Sequence, residues 1–130
     1  MNPYELTIGK ALEEMKQGRL SSVELTASCL ERIDEIDKEL QAFITVDKEG
    51  AMRQAEKADS RRKSGEGGKL CGIPLSVKDL LATRGLKTTC GSKMLENYIS
   101  PYDATVVKKI KQEDAVILGK VAMDEFAMGS

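Results

Sequence analysis

The stretch Gly72-Ile73-Pro74-Leu75-Ser76-Val77-Lys78-Asp79-Leu80 sets a single lysine inside an apolar run. Ile73 to Val77 reads as a strand, with Ile73, Leu75 and Val77 on one face and Pro74, Ser76 and Lys78 on the other. A second, continuously apolar strand follows at Ala115-Val116-Ile117-Leu118-Gly119. Between them, Val106, Val107 and Ile110 face inward on a helix of about Thr105 to Lys111, with Asp103 placed as its N-cap. Strand, crossover helix and strand make a βαβ unit, which implies parallel strands covered by helices. The fold class is therefore α/β.

Outward from this unit, the first half of the chain reads as helical. Asn2-Pro3 has the form of an N-cap with proline at the first helical position, and Gly18 closes that segment. Ser21-Ser22-Val23-Glu24 has the spacing of a capping box, and Val23, Ala27, Leu30 and Ile33 mark the face of a second helix. Phe43-Ile44-Thr45-Val46 is a short strand-like run. It leads into a third helix from about Lys48 to Ser64, whose Ala51, Ala55 and Ala58 permit close approach to another helix. The expected organisation is one portion of a single domain, helical over 1–64, a loop over 65–71, and strand-helix-strand over 72–130.

Composition removes several functions. The 20 basic and 21 acidic residues are interleaved at a net charge of −1, so no broad electrostatic footprint for nucleic acid is visible. Trp is absent and aromatics are scarce, which removes the simplest base-stacking platforms. No apolar stretch approaches the roughly 20 residues of a membrane span. Cys29, Cys71 and Cys90 are odd in number and widely spaced, which argues for reduced thiols in a cytoplasmic setting and against a disulfide scaffold or metal site. Gly65-Glu66-Gly67-Gly68 lacks the ending of a phosphate-binding loop.

The chain has no histidine, so the usual proton carrier near neutral pH is missing and a lysine is one of the few remaining bases. Two readings of Lys78 stand side by side. A lysine sharing a strand face with a serine is ordinarily solvated. Were that face covered, desolvation would favour the neutral amine and make it available as a base. The continuously apolar partner strand suggests a sheet buried on both sides, and the C-terminal end of such a strand is where open α/β sheets place their sites. Ser76, Ser92 and Ser130 are hydroxyls that spacing alone cannot choose among, while Asp79, Asp124 and Glu125 read as structural carboxylates.

The lysine segment resembles that of the amidase signature family. The likeness continues through Thr88-Thr89-Cys90-Gly91-Ser92 and Asp103-Ala104-Thr105-Val106-Val107, and ends in Met123-Asp124-Glu125-Phe126-Ala127-Met128-Gly129-Ser130. It implies N-terminal helices followed by the βαβ unit, as part of a larger mixed sheet sandwiched by helices. It also implies amide hydrolysis by a nucleophilic serine, a bridging serine in a cis peptide, and a lysine matched here by Lys78. A serine hydroxyl is a poor nucleophile until a base is in reach, and a neutral lysine supplies one without histidine.

By the same resemblance, Met128, Gly129 and Ser130 are candidate substrate-binding residues. Both serines of the triad would lie C-terminal to Ser130, so the chain is expected to be the N-terminal part of a longer enzyme, inactive alone. The likeness is closest to the branch of the family that draws ammonia from glutamine to convert Glu-tRNA(Gln). That branch implies glutamine as substrate, the B and C subunits of a heterotrimer as partners, and Glu-tRNA(Gln) reached through the complex. No cofactor is expected on this chain, with ATP and Mg used by the partner subunit. Another amidase-family hydrolase, or an interaction domain without catalysis, are the alternatives. A hydrolase built on Cys71 or Cys90 would lack a histidine to activate either thiol.

Overall fold

In a computed structural model that describes residues 1–129, four α-helices and three strands alternate along the chain. They are α1 (Ile8–Lys16), α2 (Ser22–Leu40), β1 (Phe43–Val46), α3 (Lys48–Lys63), β2 (Pro74–Lys78), α4 (Thr105–Gln112) and β3 (Val116–Val121). Short 3-10 turns occupy Pro3–Glu5, Lys93–Leu95 and Glu125–Ala127.

Local chemistry accounts for the helix boundaries. At α2, Ser21 Oγ accepts from Glu24 N at 3.0 Å while Glu24 Oε2 accepts from Ser21 N at 2.8 Å, which satisfies two otherwise orphaned donors. The helix ends at Gln41 in the left-handed region, φ 54°. Asp47 caps α3 through Gly50 N at 3.1 Å. The carboxylate of Asp59 on α3 accepts from Ser22 N at 2.7 Å and Val23 N at 3.1 Å, bringing negative charge to the positive end of α2.

Two expected boundaries differ. The segment from Asn2 to Gly18 is not one helix, because Leu6 is extended and the Thr7 side chain starts α1 afresh by accepting from Lys10 N at 3.2 Å. Asp103 does not cap α4. Ala104 holds that position without a side-chain bond, and Asp103 instead accepts from Arg84 N at 2.8 Å and from Lys111 Nζ at 2.9 Å. Its carboxylate is drawn off the helix end by a backbone donor in the preceding loop and a lysine two turns along.

The sheet has the order β1-β3-β2, with β1 antiparallel and β2 parallel to the central strand. This is a mixed sheet between helices, as the family resemblance implies, with β1 adding an antiparallel edge to the parallel pair read from the pattern. On one face, Ala51 and Ala55 of α3 and Leu30 of α2 pack on Val116 and Leu118. On the other, Val107 of α4 packs on Val77 and Ile117. The fully buried alanines let α3 lie close to the sheet.

A bulge at Leu118 sets the direction of the side chains beyond it. Leu75 pairs with Ile117 but Ser76 pairs with Gly119, so one residue of β3 is left over and the alternation of faces inverts. Val77 then pairs with Lys120. Lys120 is thereby turned to the α4 side of the sheet, whereas unbroken alternation from Val116 would have aimed it at α2 and α3. The strand also continues two residues past its expected end at Gly119.

Gly119 sits where β1 crosses closest. A Cβ there would fall far inside contact distance of the Thr45 carbonyl, which is backbone and cannot swing aside. Gly119→Ala is expected to cost about 1–3 kcal/mol, the usual penalty for forcing atoms into a packed site. Urea unfolding measures it, and an unchanged midpoint would show that β1 does not press on β3 here.

Candidate functional site

Lys78 is the last residue of β2, paired with Val121, and its side chain is exposed together with that of Ser76. Among the described residues its Nζ has no hydrogen-bond partner, so within this chain the solvated reading of its face holds. β2 and β3 run parallel, so the residues after β3 emerge at the same end as Lys78. Met128 and Gly129 lie there, both exposed, in a turn where Met128 N donates to Glu125 O at 3.1 Å and Gly129 N to Asp124 Oδ2 at 2.7 Å. The C-terminal end of parallel strands is the customary location of sites in such sheets. Ser130 lies outside the described residues.

A run of backbone hydrogen bonds joins these pieces. Asp79 N donates to Val121 O at 3.1 Å, Cys90 N to Asp79 O at 3.2 Å, and Phe126 N to Cys90 O at 2.9 Å. The backbone of Asp79 is thus tied to β3 and to the 88–91 loop, and through Cys90 to the 124–129 turn. Cys90, Phe126 and Ala127 all have left-handed backbone, at φ 52°, 51° and 57°. Non-glycine residues in this region carry strain that only an over-determined surround maintains, and such strain concentrates at functional sites. Gly91 completes the packing, since a Cβ there would come within 2.7 Å of Met123 O.

Behind Lys78 lies a buried ion pair that reading the sequence missed. Lys120 and Asp79 are both inaccessible to solvent, with Nζ 3.9 Å from Oδ1. Lys120 Nζ donates to Leu81 O at 2.6 Å and to Thr88 Oγ1 at 3.1 Å. Asp79 Oδ2 accepts from the Thr89 hydroxyl and from Gly91 N at 3.3 Å. Burial pushes the Lys120 pKa down, against the opposing pull of Asp79 and Cys90. The signal available in the sequence was a lysine inside the apolar run Val116–Val121, which is costly unless the chain supplies a partner.

The other candidates part company. Ser92 Oγ caps the short turn that follows it, accepting from Met94 N at 3.2 Å, and it donates to Glu125 Oε1 at 3.4 Å. Burial pushes the thiols of Cys29 and Cys71 up, which disfavours the nucleophilic thiolate. No group of three or more potential metal ligands is gathered among the described residues. A cleft of about 530 Å³ is lined by Thr45, Leu86, Thr89, Gly91, Ser92 and Lys93, and Lys78 does not border it. No helix among the described residues is long and apolar enough to cross a membrane.

Removing either partner of the buried pair leaves the other uncompensated, so Asp79→Asn and Lys120→Met are each expected to cost about 3–5 kcal/mol. Their double variant is expected to lose less than the sum, and strict additivity in urea unfolding would show that the two do not interact. Between the lowered folded pKa of Lys120 and about 10.4 in the unfolded chain, the unfolded state holds a proton that the folded state has shed. Stability relative to Lys120→Met should therefore rise with pH across that window. A flat or falling difference would contradict it.

The family model described as Amidase matches residues 24–130. The A subunit of glutamyl-tRNA(Gln) amidotransferase from Desulfotalea psychrophila is 56% identical over the whole chain, and its namesake from Thermoanaerobacter pseudethanolicus is 50% identical over 130 residues. The chain spans 27% of the length of each. Among solved structures, native peptide amidase from Stenotrophomonas maltophilia superposes with a TM-score of 0.90 at 33% identity, over 97% of this chain and 26% of that one. An amidase family protein from Bacillus anthracis gives 0.85 at 35% identity, over 92% of this chain and 24% of its own. With the fold matched to solved amidases and the sequence matched from Glu24 onward, the chain belongs to the amidase family.

Proposed function

We propose that this chain is the N-terminal part of the A subunit of a glutamyl-tRNA(Gln) amidotransferase, and that Lys78 is the general base of its glutamine-hydrolysing site. The observation that carries the reading is the end-to-end likeness, 56% over all 130 residues, to a protein of that name. The geometry supports the role given to Lys78. It ends a strand at the site-bearing edge of the parallel pair, with its side chain on an open face and its backbone anchored from behind.

In this reading the rest of the subunit covers that face and brings the two serines to it. Excluding water there favours the neutral amine. The amine withdraws the proton of the bridging serine, and that serine takes the proton of the nucleophile. The nucleophile's oxygen then bonds to the side-chain amide carbon of glutamine, and the C–N bond breaks as the nitrogen regains a proton and leaves as ammonia; water next cleaves the resulting glutamyl–serine ester, releasing glutamate and restoring the serine hydroxyl. Within a complex with the B and C subunits, ammonia passes to a partner subunit, which would use ATP and Mg to amidate Glu-tRNA(Gln) in the cytoplasm. Met128 and Gly129, at the same edge as Lys78, would border the glutamine, with Ser130 next to them in the chain.

Residues 1–130 joined to the remaining three quarters of the Desulfotalea psychrophila subunit, and assembled with that organism's partner subunits, allow a direct test. The chimaera is expected to hydrolyse glutamine. Lys78→Ala should lower the rate by about 10³-fold or more, in the range expected for a lost proton-transfer group. Lys78→Arg keeps the charge but cannot serve as a base, so it should be equally inactive. Activity within about tenfold of the parent in either variant would remove Lys78 from the mechanism.

A further inference from the structure

The buried pair Asp79–Lys120 stands one residue behind Lys78 and has no part in the proton transfers proposed for that lysine. Its cost is real: two charges are withdrawn from water in a sheet whose equivalent positions are otherwise filled by Val, Ile and Leu. An apolar pair of similar volume would pack the same space with less penalty, so stability alone does not account for it. What the pair adds is a set of directed bonds, and every one of them ends on a segment that meets at Lys78.

Four connections radiate from it. Lys120 Nζ holds the Leu81 carbonyl at 2.6 Å, which fixes the chain just after Lys78. It also holds Thr88 Oγ1 at 3.1 Å, at the start of the 88–91 loop. Asp79 Oδ2 gathers the Thr89 hydroxyl and Gly91 N from the same loop. The peptide groups of Asp79 and Cys90 then carry the frame to β3 and to the 124–129 turn. Asp79 Oδ1 is fully buried and makes no hydrogen bond among the described residues, where the charge of Lys120 at 3.9 Å compensates it.

The end of β2 makes this placement effective. Lys78 closes β2 with its side chain exposed, and Asp79, the first residue of the turn that follows, is buried, so the Asp79 carboxylate anchors the backbone from the buried side while Lys78 projects from the open one. We propose that Asp79 and Lys120 are positioning residues: their buried pair holds the Lys78 backbone and the 88–91 and 124–129 segments in one fixed frame, so that the base meets the substrate edge in register. This rests on the reading of Lys78 as the general base. Thr89 belongs to the same device, because its hydroxyl makes one of the two hydrogen bonds that reach the carboxylate among the described residues.

The test uses the active chimaera with its partner subunits, and compares Lys78→Ala, Asp79→Asn, Lys120→Met and the nearly isosteric Thr89→Val well below their unfolding temperatures. Displacing a reacting group by about 1 Å can cost about 100-fold in rate. Asp79→Asn and Lys120→Met are expected to lower kcat by about 30- to 100-fold with KM for glutamine changed by less than about threefold. The ascending, acid-side limb of their pH–rate profile, where the general base loses its proton, should also shift, since a displaced lysine has a different surround. Thr89→Val, which is expected to fold even where the charged variants do not, should lower kcat by about 5- to 20-fold with amide exchange at Cys90 and Phe126 accelerated.

A merely structural pair would lower the unfolding temperature and leave kcat per folded enzyme and the pH profile unchanged, and that result would overturn the proposal. If Lys78→Ala is inactive while Thr89→Val and the folded charge variants retain full kcat, only the positioning role fails. If Lys78→Ala itself keeps activity, the reading of Lys78 fails and takes the positioning role with it.

Discussion

A lysine ammonium carried into the middle strand of a sheet obliges the chain to bring acceptors to it. Lys120 has no access to water, and leaving its charge uncompensated would cost several kcal/mol. The compensation comes from the two flanking regions of sequence that can reach it. Asp79 arrives at the end of β2, and the carbonyl of Leu81 and hydroxyl of Thr88 come from the irregular segment beyond. That segment contains little regular structure over residues 79–104, yet its buried polar groups at Asp79, Thr83, Thr88, Thr89 and Ser92 show it packed against the sheet rather than lying loose over it. The bulge at Leu118 is the condition for all of this, because it turns Lys120 toward these acceptors instead of toward the alanine face of α3.

The two faces of the sheet consequently follow different rules. The α2–α3 side is held by apolar burial among small residues, with Ala51, Ala55, Leu30, Val116 and Leu118 in contact. Such contact is non-directional and tolerates modest shifts of one helix on another. The α4 side begins the same way at Val77, Val107 and Ile117, but toward the C-terminal ends of the strands it gives way to hydrogen bonds of fixed direction. Close backbone approaches reinforce that end, at Gly119 against Thr45 and at Gly91 against Met123. Rigidity is therefore concentrated where Lys78 and the 124–129 turn emerge, which is the place where a preorganised site requires it.

What could be read from the sequence was local. The capping box at Ser21 and Glu24, the alanine stripe of α3 and the two apolar runs around β2 and β3 each specify their structure within a few residues, and each forms an element of the expected type. The βαβ connection followed from those elements. Some of the misreadings involve a choice between a local partner and a distant one. Asp103 is well placed to cap α4, but the Arg84 amide, 19 residues away in sequence, competes for it and wins. Thr7 restarts a helix that Asn2-Pro3 had already begun, because its hydroxyl meets the Lys10 amide. Lys120 was visible as a charge in an apolar run, but its partner Asp79 lies far earlier in the chain and is reached only through a bulge, which carries no period of its own. Lys78 was found by the motif around it, while its exposure in this chain is what strand alternation alone suggests.

The adjacent pair Lys78-Asp79 joins the two sides of the sheet. Lys78 is exposed and Asp79, just past the end of β2, is buried, so one peptide serves two environments at once. The carboxylate side is dry, neutralised by Lys120 and bonded to the 88–91 loop. The amine side is open. A base placed on a loop would need its own neighbours to hold it, and those neighbours would crowd the space that a substrate and two serines must occupy. Here the side chains of Asp79, Lys120 and Thr89 lie on the buried side, so the proposed base keeps a clear approach while the residue next to it is hydrogen-bonded to β3 and to the 88–91 loop. The energetic burden of the buried pair is thereby linked to a geometric return on the opposite face, and the spacing that makes the link is a single residue.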